Sequence, residues 1–278
     1  MDSMFCQGQT IAFIGGGNMA RSLIGGLLKR GQSAASIAVA EPFAATAESL
    51  VQDFGVPVFS ESASAVAGKR IWLLAVKPQM MREVCEGLST QVDVCEPLVI
   101  SIAAGISLAS LRQWLGPKAK LVRSMPNTPA LIGAGITALF AESDVNAEQR
   151  SNAQNLLNAA GASVWIESEA LMDAVTATSG SGPAYFFLMI EAMQAAAIAQ
   201  GLSPEVARAL VLNTAYGAAK MALASDEPAG ILRERVTSPG GTTAAALAVF
   251  EQSGFRGHVS DAIAAATARG KTLSAQFG

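Results

Sequence analysis

Residues 10 to 20 read Thr10-Ile-Ala-Phe-Ile-Gly-Gly-Gly-Asn-Met-Ala20, and nothing else in the chain narrows its fold so far. A short apolar run stops at Gly15. Gly15, Gly17 and Ala20 then form a G-x-G-x-x-A turn that opens the segment Asn18 to Arg30. Ile11, Phe13 and Ile14 give the run the character of a buried strand, while Met19, Leu23, Leu27 and Leu28 recur at helical spacing. Gly15 permits the tight turn, Gly17 lets the backbone approach a pyrophosphate, and Ala20 lets helix and strand pack closely. A diphosphate would sit on the free N–H groups at the helix start. A glycine-rich turn with no ligand is the bland alternative. The position of this turn at the first strand–helix junction favours dinucleotide binding, with Gly15, Gly16, Gly17, Asn18 and Met19 as candidate contacts.

Composition limits what the rest can be. At 278 residues the chain can bury a large core and is long enough for two domains. Hydrophobic residues make up 51% and charged ones 15%, which argues against disorder. A net charge of -3 with no basic stripe gives no reason to expect nucleic acid. The stretch Met1 to Gly8 lacks a positive region followed by an apolar one, so no signal peptide is expected there. No uninterrupted apolar run reaches the roughly 18 residues of a membrane helix, so no membrane partner is expected. Cys6, Cys85 and Cys95 are odd in number and lack metal-ligand spacing; with a single histidine, His258, they make no zinc site, and no metal is expected. These features together fit a reduced, cytoplasmic enzyme.

The first half alternates strand and helix patterns. Ile37 to Ala40, Val56 to Phe59, Arg70 to Val76, Leu98 to Ile102 and Leu121 to Ser124 read as strands. The third of these is almost wholly apolar and so buried on both faces. Phe43 to Phe54, Gln79 to Leu88 and Ala147 to Ala160 read as helices, and Gly135 to Phe140 and Ala162 to Ile166 extend the sheet. Such alternation predicts a parallel-type sheet covered by helices. After about Ile166 strand patterns vanish and alanine-rich helices take over. The expected architecture is therefore an α/β domain over residues 1–167 and an all-α domain over 168–278. The run Ala184 to Ile190 is apolar on every side of a helix, which implies burial all round. That places it in a two-fold subunit interface or at the centre of its own domain; the small size of the helical domain favours the interface.

Chemistry-bearing residues cluster in loops. Glu41 ends the second strand roughly twenty residues beyond the glycine turn, where an acid accepts hydrogen bonds from the ribose hydroxyls of NAD. It would repel the 2′-phosphate of NADP, and no Arg or Lys follows closely to offset it, so NADH is favoured over NADPH. A solvated surface glutamate is the alternative. Ala75-Val76-Lys77-Pro78-Gln79 closes the fourth strand at the edge where such sheets place ligands. Lys77 there either touches ribose or is simply solvated. Ser101-Ile-Ala103-Ala-Gly-Ile106 offers small residues that leave space for a flat ring, and Arg123 to Pro129 is stiffened by two prolines around Asn127 and Thr128. That loop suits a site wall and an ordinary rigid loop equally.

In the helical half, Ser179-Gly-Ser-Gly-Pro-Ala-Tyr185 is either a helix break or a ligand contact. Thr237-Ser-Pro-Gly-Gly-Thr-Thr243 precedes a helical stretch, so Gly240, Gly241 and Thr242 would expose N–H groups as an anion nest, with the Ser238 and Thr243 hydroxyls beside them. A self-capping turn is the alternative. His258 lies far in sequence from every one of these loops and is read as a surface or packing residue. An alcohol dehydrogenase needs a strong general acid or base, and none is obvious. A protonated cyclic imine needs less, because its positive charge already draws a hydride and positioning does much of the rest.

Taken together these loops resemble the Δ1-pyrroline-5-carboxylate reductase family. The matching stretches are Phe13 to Met19, Ala75 to Gln79, Ser101 to Gly105, Met125 to Pro129, Ser179 to Tyr185 and Val236 to Thr243, in the family's order and over nearly the whole chain. The last two are specific, whereas the first fits many dehydrogenases. The resemblance implies reduction of 1-pyrroline-5-carboxylate to L-proline with NADPH or NADH. It also implies an N-terminal Rossmann domain and an interleaved helical homodimer, assembled further into decamers in some members. By the same resemblance Gly240, Gly241, Thr242 and Thr243 hold the substrate carboxylate. Thr243 lies near the ring nitrogen, which makes Thr243 and Ser238 the candidate catalytic residues. Ala75 to Pro78 and Ser101 to Ala103 line the nicotinamide side. Ala20 stands where a glycine is frequent, and Ser62 where many members carry an asparagine near the adenosine. A β-hydroxyacid dehydrogenase would place an asparagine four residues after a helical lysine, but Lys220 and Lys271 have Ala224 and Ala275 there. A silent dinucleotide sensor or a binding protein for a pyridoxal-type cofactor would leave both later glycine clusters without purpose.

Overall fold

Strand and helix alternate through the first 165 residues because short, doubly apolar runs such as Ile71-Trp-Leu-Leu74 can hide only inside a sheet covered on both sides. The computed structural model describes residues 9–277; Cys6 and the stretch tested for a signal peptide lie outside them. The strands are β1 (Ile11–Ile14), β2 (Ile37–Ala40), β3 (Val58–Phe59), β4 (Ile71–Leu74), β5 (Leu98–Ser101), β6 (Lys120–Met125), β7 (Gly135–Ala141) and β8 (Gly161–Trp165). They form one sheet in the order β3-β2-β1-β4-β5-β6-β7-β8. Between them run α1 (Asn18–Lys29), α2 (Ala44–Phe54), α3 (Ser62–Val66), α4 (Pro78–Cys95), α5 (Leu108–Leu115) and α6 (Ala147–Leu157).

Strand side chains alternate between two cores. Ile11, Phe13, Ile71, Leu73 and Ile100 pack with residues of α1, α2 and α6 on one face. Ala12, Ile14, Trp72, Leu74 and Val99 pack with α3, α4 and α5 on the other. The expected parallel-type sheet holds for six neighbour pairs among the described residues, and β6–β7 is the antiparallel exception. Only a short turn, Thr128–Ile132, lies between β6 and β7, and a parallel return needs a crossover of a dozen or more residues.

After β8 the chain is helical: α7 (Met172–Val175), a π-helical turn over Thr176–Gly180, α8 (Gly182–Ala199), α9 (Pro204–Leu223), α10 (Ala229–Arg235), α11 (Thr242–Gln252) and α12 (Phe255–Phe277). Two compact units result. One comprises the chain up to Ser181 together with residues from Ala266 onward, and the other is Gly182–Ala265. The sequence reading draws the border at 167/168, whereas along the chain the units divide after Ser181 and again after Ala265. In the second unit Phe186, Phe187 and Leu188 are 72%, 65% and 66% exposed, so the apolar run at the start of α8 is largely uncovered within a single chain. The helical run Glu169–Ala199 is long and apolar enough to cross a membrane, by length and composition alone.

Candidate active site

The carboxyl ends of β1, β2, β4 and β5 lie side by side, since Ile14 is in register with Ala40 and Leu74, and Leu74 with Ser101. Loops leaving this edge are where an open α/β sheet binds its ligand. Gly15 takes φ 101°, a conformation side-chain-bearing residues rarely adopt, and a Cβ there would come within 2.7 Å of the Ala75 carbonyl. Its N–H donates to Ala40 O at 2.9 Å, which wedges the turn between β2 and β4. Gly17 caps α1 in extended conformation and supplies no side-chain bond to the first helical amides. Nothing beyond its chain neighbours stands within 4 Å of where a Gly17 Cβ would be, which leaves room for a diphosphate beside these donors. The residues present therefore fit a dinucleotide. Ala20 is fully buried, as close packing of helix on strand requires.

Glu41 is only 8% exposed, which rules out a solvated surface residue. One carboxylate oxygen accepts the Gly16 N–H at 3.0 Å and the other accepts Phe43 N–H at 3.0 Å. A carboxylate offers about four acceptor positions, so capacity remains for a ribose hydroxyl. Ala75 N–H donates to Ile14 O at 2.8 Å, and Lys77, exposed, precedes Pro78 at the first position of α4. Ser101 is fully buried and its hydroxyl accepts Ala103 N–H at 3.3 Å, so this side chain shapes its own loop.

The proline-flanked loop is tied at both ends of one side chain. Asn127 accepts Ile136 N–H at 3.0 Å and donates to Ser179 O at 3.2 Å. Its partner belongs to the π-helical turn, closed by Ser181 N–H on Thr176 O at 2.8 Å. The Ser179 cluster thus begins as a π turn, a form frequent at functional sites. A cavity of about 410 Å³ runs along α1 past Arg21, Lys29 and Phe54, and of the expected cofactor contacts it touches only Asn18.

In the second unit Gly240 turns the chain at φ 70°, and Gly241 caps α11 in extended conformation with no side-chain bond. Ser107, Asn146 and Ser203, by contrast, each cap their own helix. Gly241 N–H is itself spent on Ser238 O at 3.0 Å, which takes up one of the three expected donors. Thr243 is half-buried in the first turn of α11. His258 is exposed and its Nε2 lies 3.0 Å from Ser253 O, consistent with a surface role.

Sequence reasoning missed one arrangement altogether. Arg123, 5% exposed on β6, pairs through Nη1 with Glu169 Oε1 at 2.8 Å, and the same oxygen accepts Leu108 N–H at 2.8 Å. No motif marks Glu169, which lies 46 residues from Arg123 and 61 from Leu108.

Comparison with known proteins meets this geometry. Residues 169–273 match the family model described as pyrroline-5-carboxylate reductase dimerisation, and residues 10–105 match one described as NADP oxidoreductase, coenzyme F420-dependent. A pyrroline-5-carboxylate reductase of Pseudomonas aeruginosa is 48% identical over 96% of this chain and 98% of its own. The chain belongs to the pyrroline-5-carboxylate reductase family. A Pasteurella multocida member is 46% identical over 98% of this chain and all of its own. Among solved structures, the Coxiella burnetii reductase superposes with TM-score 0.92 at 39% identity, covering 95% of this chain and 98% of that one. The Plasmodium falciparum reductase, a structure with NADP bound, gives 0.83 at 30% identity over 96% and 98%.

Proposed function

We propose that this protein reduces 1-pyrroline-5-carboxylate to L-proline, the last step of proline biosynthesis, in the cytoplasm and as a homodimer. The observation that carries the reading is the coexistence of two glycine-capped, side-chain-free helix starts, at Gly17 and Gly241, in a chain nearly half identical to a reductase of that name. When bound, a reduced nicotinamide supplies the hydride that turns the C=N carbon into CH while the ring nitrogen keeps its proton. The chain's own residues do the rest. Gly15 to Met19 hold the diphosphate on the α1 amides, and Glu41 takes a ribose hydroxyl. Ala75 to Pro78 and Ser101 to Ala103 wall the nicotinamide side. Amides of Gly240 and Thr242, with the Ser238 and Thr243 hydroxyls, hold the substrate carboxylate, and Thr243 faces the ring nitrogen.

Of the two coenzymes NADH is preferred. A buried Glu41 carboxylate beside the turn disfavours a further phosphate, and Pro42, Phe43, Ala44 and Ala45 bring no cation to offset it. Free Cys85 and Cys95 suit a reducing compartment. The test is direct: purified protein is mixed with pyrroline-5-carboxylate and NADH or NADPH, and nicotinamide absorbance is followed. Oxidation with NADH as the faster coenzyme is expected; no oxidation with either overturns the reading.

A further inference from the structure

We infer that Arg123 and Glu169 form a positioning pair that sets the span of the loop between β5 and α5; as a statement about catalysis this rests on the reductase reading above. The loop leaves the sheet at Ser101, whose carbonyl accepts the Ser124 hydroxyl at 2.9 Å. It enters α5 at Leu108. The first amides of a helix lack carbonyl partners and must find others. The Ser107 hydroxyl serves Ser110 N–H at 3.1 Å, and the Glu169 carboxylate serves Leu108 N–H at 2.8 Å, where negative charge is also favoured by the helix dipole.

Arg123 is the register partner of Ser101 on the neighbouring strand. The chain of contacts therefore runs from the residue beside the loop's beginning, through guanidinium and carboxylate, to the residue at its end. A single oxygen, Glu169 Oε1, receives both bonds. The pair is a costly device if it only ties strands together. The Arg123 side chain is 7% exposed, and its Nε is buried without a partner. Buried donors of this kind carry a desolvation cost that a purely apolar contact would avoid. What the pair gives in return is a fixed distance between the ends of the loop proposed to wall the nicotinamide, and misplacement by about 1 Å at such a site costs roughly a hundredfold in rate.

Glu169→Ala tests this. Its kcat falls roughly a hundredfold, while the coenzyme Kd stays within about threefold, because the glycine turn and Glu41 hold the other half of the dinucleotide. Glu169→Gln keeps an acceptor for Leu108 N–H and Arg123, and it restores most of kcat. Should Glu169→Ala fail to fold around an uncompensated guanidinium, Arg123→Met with Glu169→Leu removes both charges together and shows the same loss of kcat. A folded variant without the pair that turns over like the parent overturns the proposal. Hydrogen exchange by mass spectrometry supplies a reading independent of activity. The segment 102–108 exchanges faster in the variant while β1 and β4 stay protected, and unchanged exchange there also overturns the proposal. If the parent lacks reductase activity, the functional reading falls alone and the exchange result still decides the role of the pair.

Discussion

Glu41 serves two masters at the residue scale: it holds the glycine turn through Gly16 and faces the coenzyme's adenosine end in the proposed function. Glu41→Ser removes the charge and most of the acceptor capacity. The ratio of kcat/KM for NADPH to that for NADH should rise about tenfold, worth about 1.4 kcal/mol. Stability should fall by about 1–3 kcal/mol as the Gly16 and Phe43 amides lose their partner. Steady-state kinetics and thermal melting separate the two effects, and an unmoved ratio removes Glu41 from coenzyme choice. Cysteines give a second residue-scale result. Burial, aided by the charge of Glu86, pushes the Cys85 thiol up to about 12 from an ordinary 9.0. The native fold therefore keeps this proton when an unfolded chain would release it. Its stabilisation is complete below pH 9 and is lost as pH climbs toward 12. At pH 8 iodoacetamide should modify exposed Cys95 and spare Cys85 until the protein unfolds. Peptide mapping by mass spectrometry reads both sites, and rapid alkylation of native Cys85 would contradict its placement.

At the scale of elements, what was legible and what was not divides on physical grounds. Strands buried on both faces announce themselves as unbroken apolar runs, so β1, β2, β4 and β5 fall within a residue or two of their expected spans. The sense of β7 does not announce itself, because side-chain period is the same in parallel and antiparallel strands. Short α3 and α5 went unread, each being too brief for a 3.6-residue period to emerge. The glycine turn and the elbow before α11 were legible because Gly15 and Gly240 answer a backbone need, a positive φ. The Arg123–Glu169–Leu108 bridge was not, since it joins three elements by chemistry that any sequence contains. The elbow yields a prediction in which stability and function part. Gly241→Asp gives α11 the side-chain cap that it lacks, worth a few tenths of a kcal/mol relative to glycine. The Ser238 carbonyl, 3.1 Å from the new Cβ, must give way by a few tenths of an ångström, which offsets part of that gain. The added carboxylate also occupies the donors proposed for the substrate's own. Thermal stability should change by less than about 1 kcal/mol while KM for pyrroline-5-carboxylate rises at least tenfold, and an unchanged KM would place the substrate elsewhere.

The whole molecule is explained by its least satisfied surface. The run 184–190 of α8 is apolar on every side and yet Phe186, Phe187 and Leu188 stand about two-thirds uncovered, inside a segment that matches the family's dimerisation model. Fully burying a side chain of this size stabilises by about 1.5–3 kcal/mol, so covering these three on each of two copies contributes roughly 10 kcal/mol. That is comparable with the estimated cost of about 4–15 kcal/mol for bringing two chains together, and α9 exposes further apolar side chains such as Leu210 and Met221. A bilayer would cover the same residues, since the run Glu169–Ala199 is long and apolar enough to cross one by length and composition alone. The two occupants predict different behaviour. With a second copy on the face, the protein purifies without detergent and sediments at a multiple of the chain mass. Phe186→Asp with Leu188→Asp should then reduce it to single chains, because four carboxylates would be desolvated in the interface without partners. Sedimentation of the parent as a single chain, or solubility that depends on detergent, would instead assign the face to something other than this chain's own copy.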